Sequence, residues 1–504
     1  VTVPSAEPGL LGRFLALCEA APQAPCLYTP SAILTRAELR QHIAHWQAQL
    51  HQHGVNPGDV VGLLAHNRVD HLALLLACAS RGMIWLPMNW RLSAHELSTI
   101  AQHAGCRLVW HDAPCAALAA QMQASRVLPV PETEDNAPSV LVTELPDAFS
   151  RDVMLVYTSG TTGEPKGAVH TQSGMLANVH AALTIQPINS DTRVLSALPL
   201  FHVGGLCIQT LPALLCGAQV HILPRFEPAA WFDAVRDFRP HTSLLVPATM
   251  RALIEHPRWP KGSAAESDLA SLQFINSGSS IVPVDLIEAF HRIGIPAAQV
   301  YGATETGPVS IALHPRDAVA LIGSTGKPAP GVKVRLVNAQ GQDVTAGDVG
   351  EIWLQADNLM RTYWKQAPEQ SFQSNGWFAT GDLARCDEHG QYWVVGRSKD
   401  MIISGGENIY PAEIENLLAA LPEVAECALV GLPDDKWGEV PVLAVSLQAG
   451  AQRQAVEQRI TQTLQSRLAR YKQPRRIVIL DALPKTALGK VQKSALKSQL
   501  QGLS

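Results

Sequence analysis

Tyr157-Thr158-Ser159-Gly160-Thr161-Thr162-Gly163-Glu164-Pro165-Lys166-Gly167 is the most informative stretch of this 504-residue chain. It follows Val153-Met154-Leu155-Val156-Tyr157, a short apolar run that reads as a buried strand, and precedes a helix expected to begin near Ser173. Three glycines let backbone N–H groups approach a polyphosphate with no Cβ in the way. Thr158, Ser159, Thr161 and Thr162 add hydroxyl donors, and Lys166 adds charge. A phosphate cradle needs all of these together; a plain Gly-Thr surface loop needs none of them. A Walker loop is excluded, because that signature requires Ser or Thr directly after its lysine and Gly167 stands there.

Upstream, Leu39, Ile43, Trp46 and Leu50 recur at helical spacing, and Val60-Val61-Gly62-Leu63-Leu64 reads as a buried strand. A helix over about Asp70 to Ser80 leads to the strand Met83-Ile84-Trp85-Leu86. Ser93-Ala94-His95-Glu96 has capping-box spacing and opens a helix ending near Gly105, before the strand Arg107-Leu108-Val109-Trp110. Such alternation predicts a layered α/β domain with a largely parallel sheet.

Downstream, the region from Gly323 to about Tyr392 breaks into short strands such as Val332-Lys333-Val334-Arg335-Leu336 and Gly350-Glu351-Ile352-Trp353-Leu354, a β-rich subdomain. After Gly396-Arg397-Ser398-Lys399-Asp400 the remaining hundred residues carry their own alternation. Helices are expected from Pro411 and near Arg453, and strands at Ala428-Leu429-Val430 and Arg476 to Leu480. The expected architecture is an α/β fold: a large domain over 1–398, and a small, mobile α+β domain over 399–504.

A net charge of −5 offers no basic field for nucleic acid or an acidic membrane surface. Nine scattered cysteines lack CxxC pairs or zinc-ligand spacing, so reduced, mostly buried thiols are expected. The sequence also shows no secretion-type leader and no apolar run of about 18 residues, which favours a cytoplasmic chain without an integral membrane segment.

The quoted string resembles the phosphate-binding signature of the adenylate-forming superfamily, which holds acyl-CoA synthetases, peptide-synthetase adenylation domains and firefly-luciferase-like enzymes. The resemblance recurs in the family's order from about residue 30 to 493. Tyr301-Gly302-Ala303-Thr304-Glu305-Thr306-Gly307 is similar to the motif whose Thr meets the ATP α-phosphate and whose Glu holds Mg²⁺; alone, Glu305 would read as a solvated loop carboxylate. Trp377-Phe378-Ala379-Thr380-Gly381-Asp382 resembles the segment whose Asp accepts both ribose hydroxyls, Arg397 the arginine beside that ribose, and Ser277-Gly278-Ser279-Ser280 the loop against adenine. Ser404-Gly405-Gly406-Glu407-Asn408-Ile409-Tyr410-Pro411 resembles the pantetheine-tunnel loop. Pro484-Lys485-Thr486-Ala487-Leu488-Gly489-Lys490 resembles the closing signature whose last lysine reaches the carboxylate and α-phosphate.

The resemblance implies an ATP-dependent acid–thiol ligase that uses Mg²⁺, activates a small carboxylic acid as its acyl-adenylate and passes the acyl group to coenzyme A. Lys399 occupies the hinge position. His202 resembles the gate between adenylate and thiol channel, and with Val203 and Gly204 forms a small apolar surround suited to an uncharged acyl tail. A dicarboxylic substrate would want an arginine nearby, and Arg225 and Arg251 are the candidates near in sequence. Arg91, Trp437 and Arg475 resemble residues that meet the CoA nucleotide. A carrier-protein-loading domain, a luciferase-like oxygenase and a degenerate nucleotide-binding regulator are the alternatives, and assembly as a homodimer is left open. Amino acids are disfavoured, since the segment at Phe201-His202-Val203-Gly204-Gly205 lacks a carboxylate for an ammonium group.

Overall fold

The helix Ala94–Ala104 starts and stops where its sequence dictates. The Ser93 hydroxyl accepts the Glu96 N–H at 3.3 Å, the Glu96 carboxylate accepts the Ser93 N–H at 2.8 Å, and Gly105 closes the helix at φ 65°. The computed structural model describes residues 7–132, 143–145, 147–158, 166–278, 281–404, 407–434, 437–485 and 490–503.

Two large sheets, covered by helices, carry the first three hundred residues. In the seven-stranded sheet Val60–Leu64 lies parallel between Ile84–Met88 and Cys106–His111, and Ile84–Met88 pairs in turn with Asp152–Thr158. In the nine-stranded sheet Arg193–Ser196, Thr242–Leu245, Phe274–Gly278 and Ala297–Tyr301 run parallel, with antiparallel strands at the edges. The helical stripe Leu39, Ile43, Trp46 and Leu50 is fully buried on Arg36–Gln52. Trp46 meets Trp110 edge-on at 4.9 Å and donates its indole N–H to Asp70 at 2.8 Å, so its ring is buried with its polar atom satisfied.

One expectation is corrected. The phosphate-cradle string does not run from strand to helix: Lys166–Thr171 is itself a strand, antiparallel to Asp152–Thr158 with Tyr157 opposite Gly167, and the helix Gln172–Ile185 follows it. Gly167, Ala168, Val169 and His170 are all buried, so no alternation betrays the strand. Gly167 fits its place because a Cβ there would lie 2.7 Å from Leu155 Cδ1.

Lys333–Val337, Val349–Gln355, Phe378–Cys386 and Tyr392–Arg397 form a four-stranded antiparallel sheet, the β-rich region expected from its turns. Residues 402 to 479 build the last sheet, in which Val424–Asp434 and Gly438–Leu447 form a long hairpin and Arg476–Ile479 joins in parallel. Pro411–Ala419 and Arg453–Arg467 pack on it, near their expected starts, as does Lys493–Gln501 through Leu496 and Leu500. Among the described residues, no helix is long and apolar enough to cross a membrane. All nine cysteines are free and six are buried.

Candidate active site

Parallel strands leave a crevice beyond their carboxyl ends, and here those ends carry Ser277, Gly278, Tyr301 and Gly302. Glycine is required at two of these positions. A Cβ on Gly278 would sit 2.3 Å from the Val300 carbonyl oxygen, and one on Gly302 only 1.7 Å from that of Pro308. The buried Ser277 hydroxyl has no hydrogen-bond partner among the described residues, a donor left over for a ligand.

The four-stranded sheet delivers the acidic anchor. Asp382 lies opposite Arg397 in the antiparallel register, and its Oδ1 is 2.8 Å from Arg397 Nε while Oδ2 accepts the Tyr301 hydroxyl at 2.9 Å. Its backbone N–H donates to Thr380 Oγ1, and Thr380 is tied through its own hydroxyl to the Ile352 carbonyl. The carboxylate is thus buried, paired and fixed in direction, and each oxygen keeps a lone pair free for a ligand hydroxyl. The Asp382 charge raises Arg397 above its ordinary value; burial, then Asp382, pushes Tyr301 far up, so its phenol stays a donor.

Thr304 and Glu305 occupy the short turn Thr304–Thr306, closed by the Ala303 N–H donating to Thr306 Oγ1 at 2.8 Å. Thr304 is buried, and Glu305 is half-buried with Oε1 accepting the Tyr363 hydroxyl at 2.9 Å. The Lys166 ammonium stands 5.4 Å from the centre of the Tyr363 ring. The first and second motifs therefore meet through a residue that sequence reasoning missed. Tyr363 lies on a strand of two residues, too short for any periodicity to signal.

Lys490 arrives from the far end of the chain and lies within electrostatic reach of Arg397, Asp382 and His202. Desolvation first, then the Arg397 charge, lowers its ammonium below the usual lysine value, while Asp382 opposes the shift. His202 accepts the Gly204 N–H on Nδ1 at 3.1 Å, which leaves its proton on Nε2. Burial, then Lys490 and Arg91, pushes it down to about 4, so it is neutral at physiological pH. Val203 and Gly204 are buried behind it, and the helix continues through a π-helical turn, Leu206–Thr210, that no sequence feature announced. Gly205 passes so near Pro199 that a Cβ would lie 2.2 Å from its carbonyl oxygen.

Of the remaining expected residues, Arg91 stacks over Trp90 at 5.0 Å, and Arg475 over Trp437 at 5.2 Å. Thr158 ends the strand that leads into the cradle string. Glu407 is exposed on the strand Glu407–Ile409, and Lys399 is exposed in the turn Ser398–Asp400, immediately after Arg397. Ser159, Gly160, Thr161, Thr162, Gly163, Ser279, Gly405 and Gly406 lie outside the described residues. Away from the crevice, His66, Asp112 and Cys115 cluster closely enough to share an ion, but their closeness follows from hydrogen bonding around Asp112, which caps a short helix.

The AMP-binding enzyme family profile matches residues 14–364, and that of the AMP-binding enzyme C-terminal domain matches residues 413–490. The chain is 40% identical to an indoleacetate–CoA ligase of Aromatoleum aromaticum, over 93% of both chains. It is 37% identical to a feruloyl-CoA synthase of an Amycolatopsis species, over 94% of this chain and 96% of that one. Among solved structures, the o-succinylbenzoate CoA synthetase of Bacillus subtilis with its acyl-adenylate superposes with a TM-score of 0.84 at 30% identity, covering 96% and 97% of the two chains. The same enzyme has been solved with ATP and magnesium ion. The chain belongs to the AMP-binding enzyme family and is an AMP-forming acyl-CoA synthetase, which joins a carboxylic acid to coenzyme A through an acyl-adenylate.

Proposed function

We propose that the acid is an uncharged, hydrophobic one, with aryl-substituted acids of the arylacetic or hydroxycinnamic kind as the preferred class. The observation that carries this reading is His202, pushed down to about 4 and so neutral, beside the buried Val203 and Gly204, which offer an acyl tail no charge of their own. Two relatives named for indoleacetate and ferulate lend it support. Of the arginines that a dicarboxylate would need, Arg225 pairs with Glu227 at 2.5 Å, and Arg251 lies within electrostatic reach of Asp285. Thioester formation across arylacetic, hydroxycinnamic, fatty and dicarboxylic acids tests it. The aryl acids are expected to give the highest kcat/KM, and preference for a dicarboxylate overturns the reading.

In the proposed mechanism the carboxylate oxygen attacks the ATP α-phosphorus, the bond to pyrophosphate breaks, and the acyl-adenylate forms. Asp382 and Arg397 hold the ribose, Tyr301 and Ser277–Ser279 frame the base, and the string from Thr158 to Lys166 cradles the phosphates. An anion must approach an anionic centre, so the Lys490 ammonium and the Thr304 hydroxyl act where charge accumulates. The Glu305 carboxylate, a hard oxygen donor with one oxygen already fixed by Tyr363, fits a Mg²⁺ ligand. When bound, Mg²⁺ would neutralise phosphate charge there.

The CoA thiol then attacks the acyl carbon and AMP leaves. We assign the CoA side to Arg91, Trp437, Arg475 and the loop Gly405–Glu407, with His202 as the gate. A boundary between 398 and 399, with Lys399 as hinge, lets the C-terminal part withdraw Lys490 and present that loop. Nine unpaired cysteines suit a reducing, cytoplasmic setting.

A further inference from the structure

The segment 360–364 clasps two motifs that are far apart in sequence. Thr362 and Tyr363 pair antiparallel with Val169 and Ala168, on the strand that begins at Lys166. Backbone bonds extend the clasp on both sides, with the Trp364 N–H donating to the Gly167 carbonyl at 2.7 Å and the Met360 N–H to that of Glu305 at 2.8 Å. Glu305 is therefore held twice by this segment, once through its backbone and once through the Tyr363 hydroxyl on its carboxylate.

We propose that Tyr363 is a positioning residue: its hydroxyl fixes the Glu305 carboxylate in the orientation that receives Mg²⁺, and its ring seats the Lys166 ammonium. The proposal rests on the reading of Glu305 as metal ligand given above. An isolated carboxylate on a short turn samples several rotamers, and a ligand so placed must be re-ordered each time ATP binds. A phenol donating to one oxygen removes that freedom and leaves the other oxygen for the metal, as partners behind metal ligands commonly do. The same ring, lying under Lys166, sets the spacing between the cationic and the metal-bearing sides of the phosphate cradle.

The test is Mn²⁺ binding to the full chain with a non-hydrolysable ATP analogue, followed by electron paramagnetic resonance, for the parent, Tyr363→Phe and Glu305→Gln. Tyr363→Phe keeps the ring and removes only the hydroxyl. It is expected to weaken Mn²⁺ binding about 10-fold and to leave acyl-CoA formation from supplied acyl-adenylate at the parent rate. Parent-like Mn²⁺ binding in Tyr363→Phe beside weakened binding in Glu305→Gln overturns the positioning role alone. Parent-like binding in both overturns the assignment of Glu305. Equal loss of both half-reactions in Tyr363→Phe makes the hydroxyl merely structural and also overturns the proposal.

Discussion

Asp382, assigned above to the ribose, is a carboxylate whose two oxygens are each fixed by one partner. Arg397 and Tyr301 occupy one lone pair on each oxygen, so the charge is compensated before any ligand arrives and only its direction remains for use. Asp382→Asn replaces one acceptor oxygen with a donor that must face Arg397 or Tyr301, both donors themselves. The expected loss is about 1.5–3 kcal/mol of nucleotide affinity, read as a higher ATP KM with the CoA KM unchanged. His202 behaves differently. Its Nδ1 is occupied by the Gly204 N–H, and burial holds it down to about 4, so it contributes no charge change to the rate between about pH 5 and 9. A break in the rate at alkaline pH is instead expected from Lys490. Its lowered ammonium is the active form below its pKa and is lost as pH rises through a value lower than that of an ordinary lysine. Stopped-flow measurement of acyl-adenylate formation between pH 6 and 10 checks this, and Lys490→Arg should move the break upward or abolish it.

The helix Arg36–Gln52 buries the stripe Leu39, Ile43, Trp46 and Leu50, and Trp46 anchors it against Trp110 and Asp70. Trp46→Ala is expected to cost about 3–5 kcal/mol, and Ser93→Ala, which removes a capping bond at a helix end, about 1 kcal/mol; urea denaturation measures both. The same elements show what could be read beforehand. Caps, glycine stops and a 3.6-residue stripe are local signals, and Ser93, Gly105 and Trp46 carried them openly. Lys166–Thr171 gave no such signal, because a strand buried on both faces has no alternation and its Gly-Ala-Val core is short. Tyr363 on its two-residue strand and the π-helical turn at Leu206–Thr210 exist only through packing with distant partners. The motifs assigned to the nucleotide stand out in the sequence because each is a compact string. The bonds between motifs, from Tyr363 to Glu305 and from Tyr301 to Asp382, were not, since they join residues that only the folded chain brings together.

At the scale of the molecule, three histidines held neutral couple stability to pH. His71, His170 and His202 are each pushed down to about 4, with burial the largest cause. The unfolded chain protonates them near 6.5, so between these values it binds more protons than the folded one. Their contribution is full above about pH 6.5 and is lost as pH falls toward 4, and the melting temperature should drop steadily over that window. The larger consequence of the proposed function is a division of labour: residues up to Arg397 are assigned to the nucleotide, whereas Lys490 comes from the last twenty residues and lies within electrostatic reach of Arg397 and Asp382. Lys399→Pro, which fixes φ at the exposed turn between them, should let acyl-adenylate form and slow its consumption by CoA, as single-turnover assays would show. The most direct test of this division is Lys490→Ala, assayed separately for acyl-adenylate formation and for acyl-CoA formation from supplied acyl-adenylate. The first should fall by about a hundredfold or more and the second should stay at the parent rate; an equal fall in both would contradict the account.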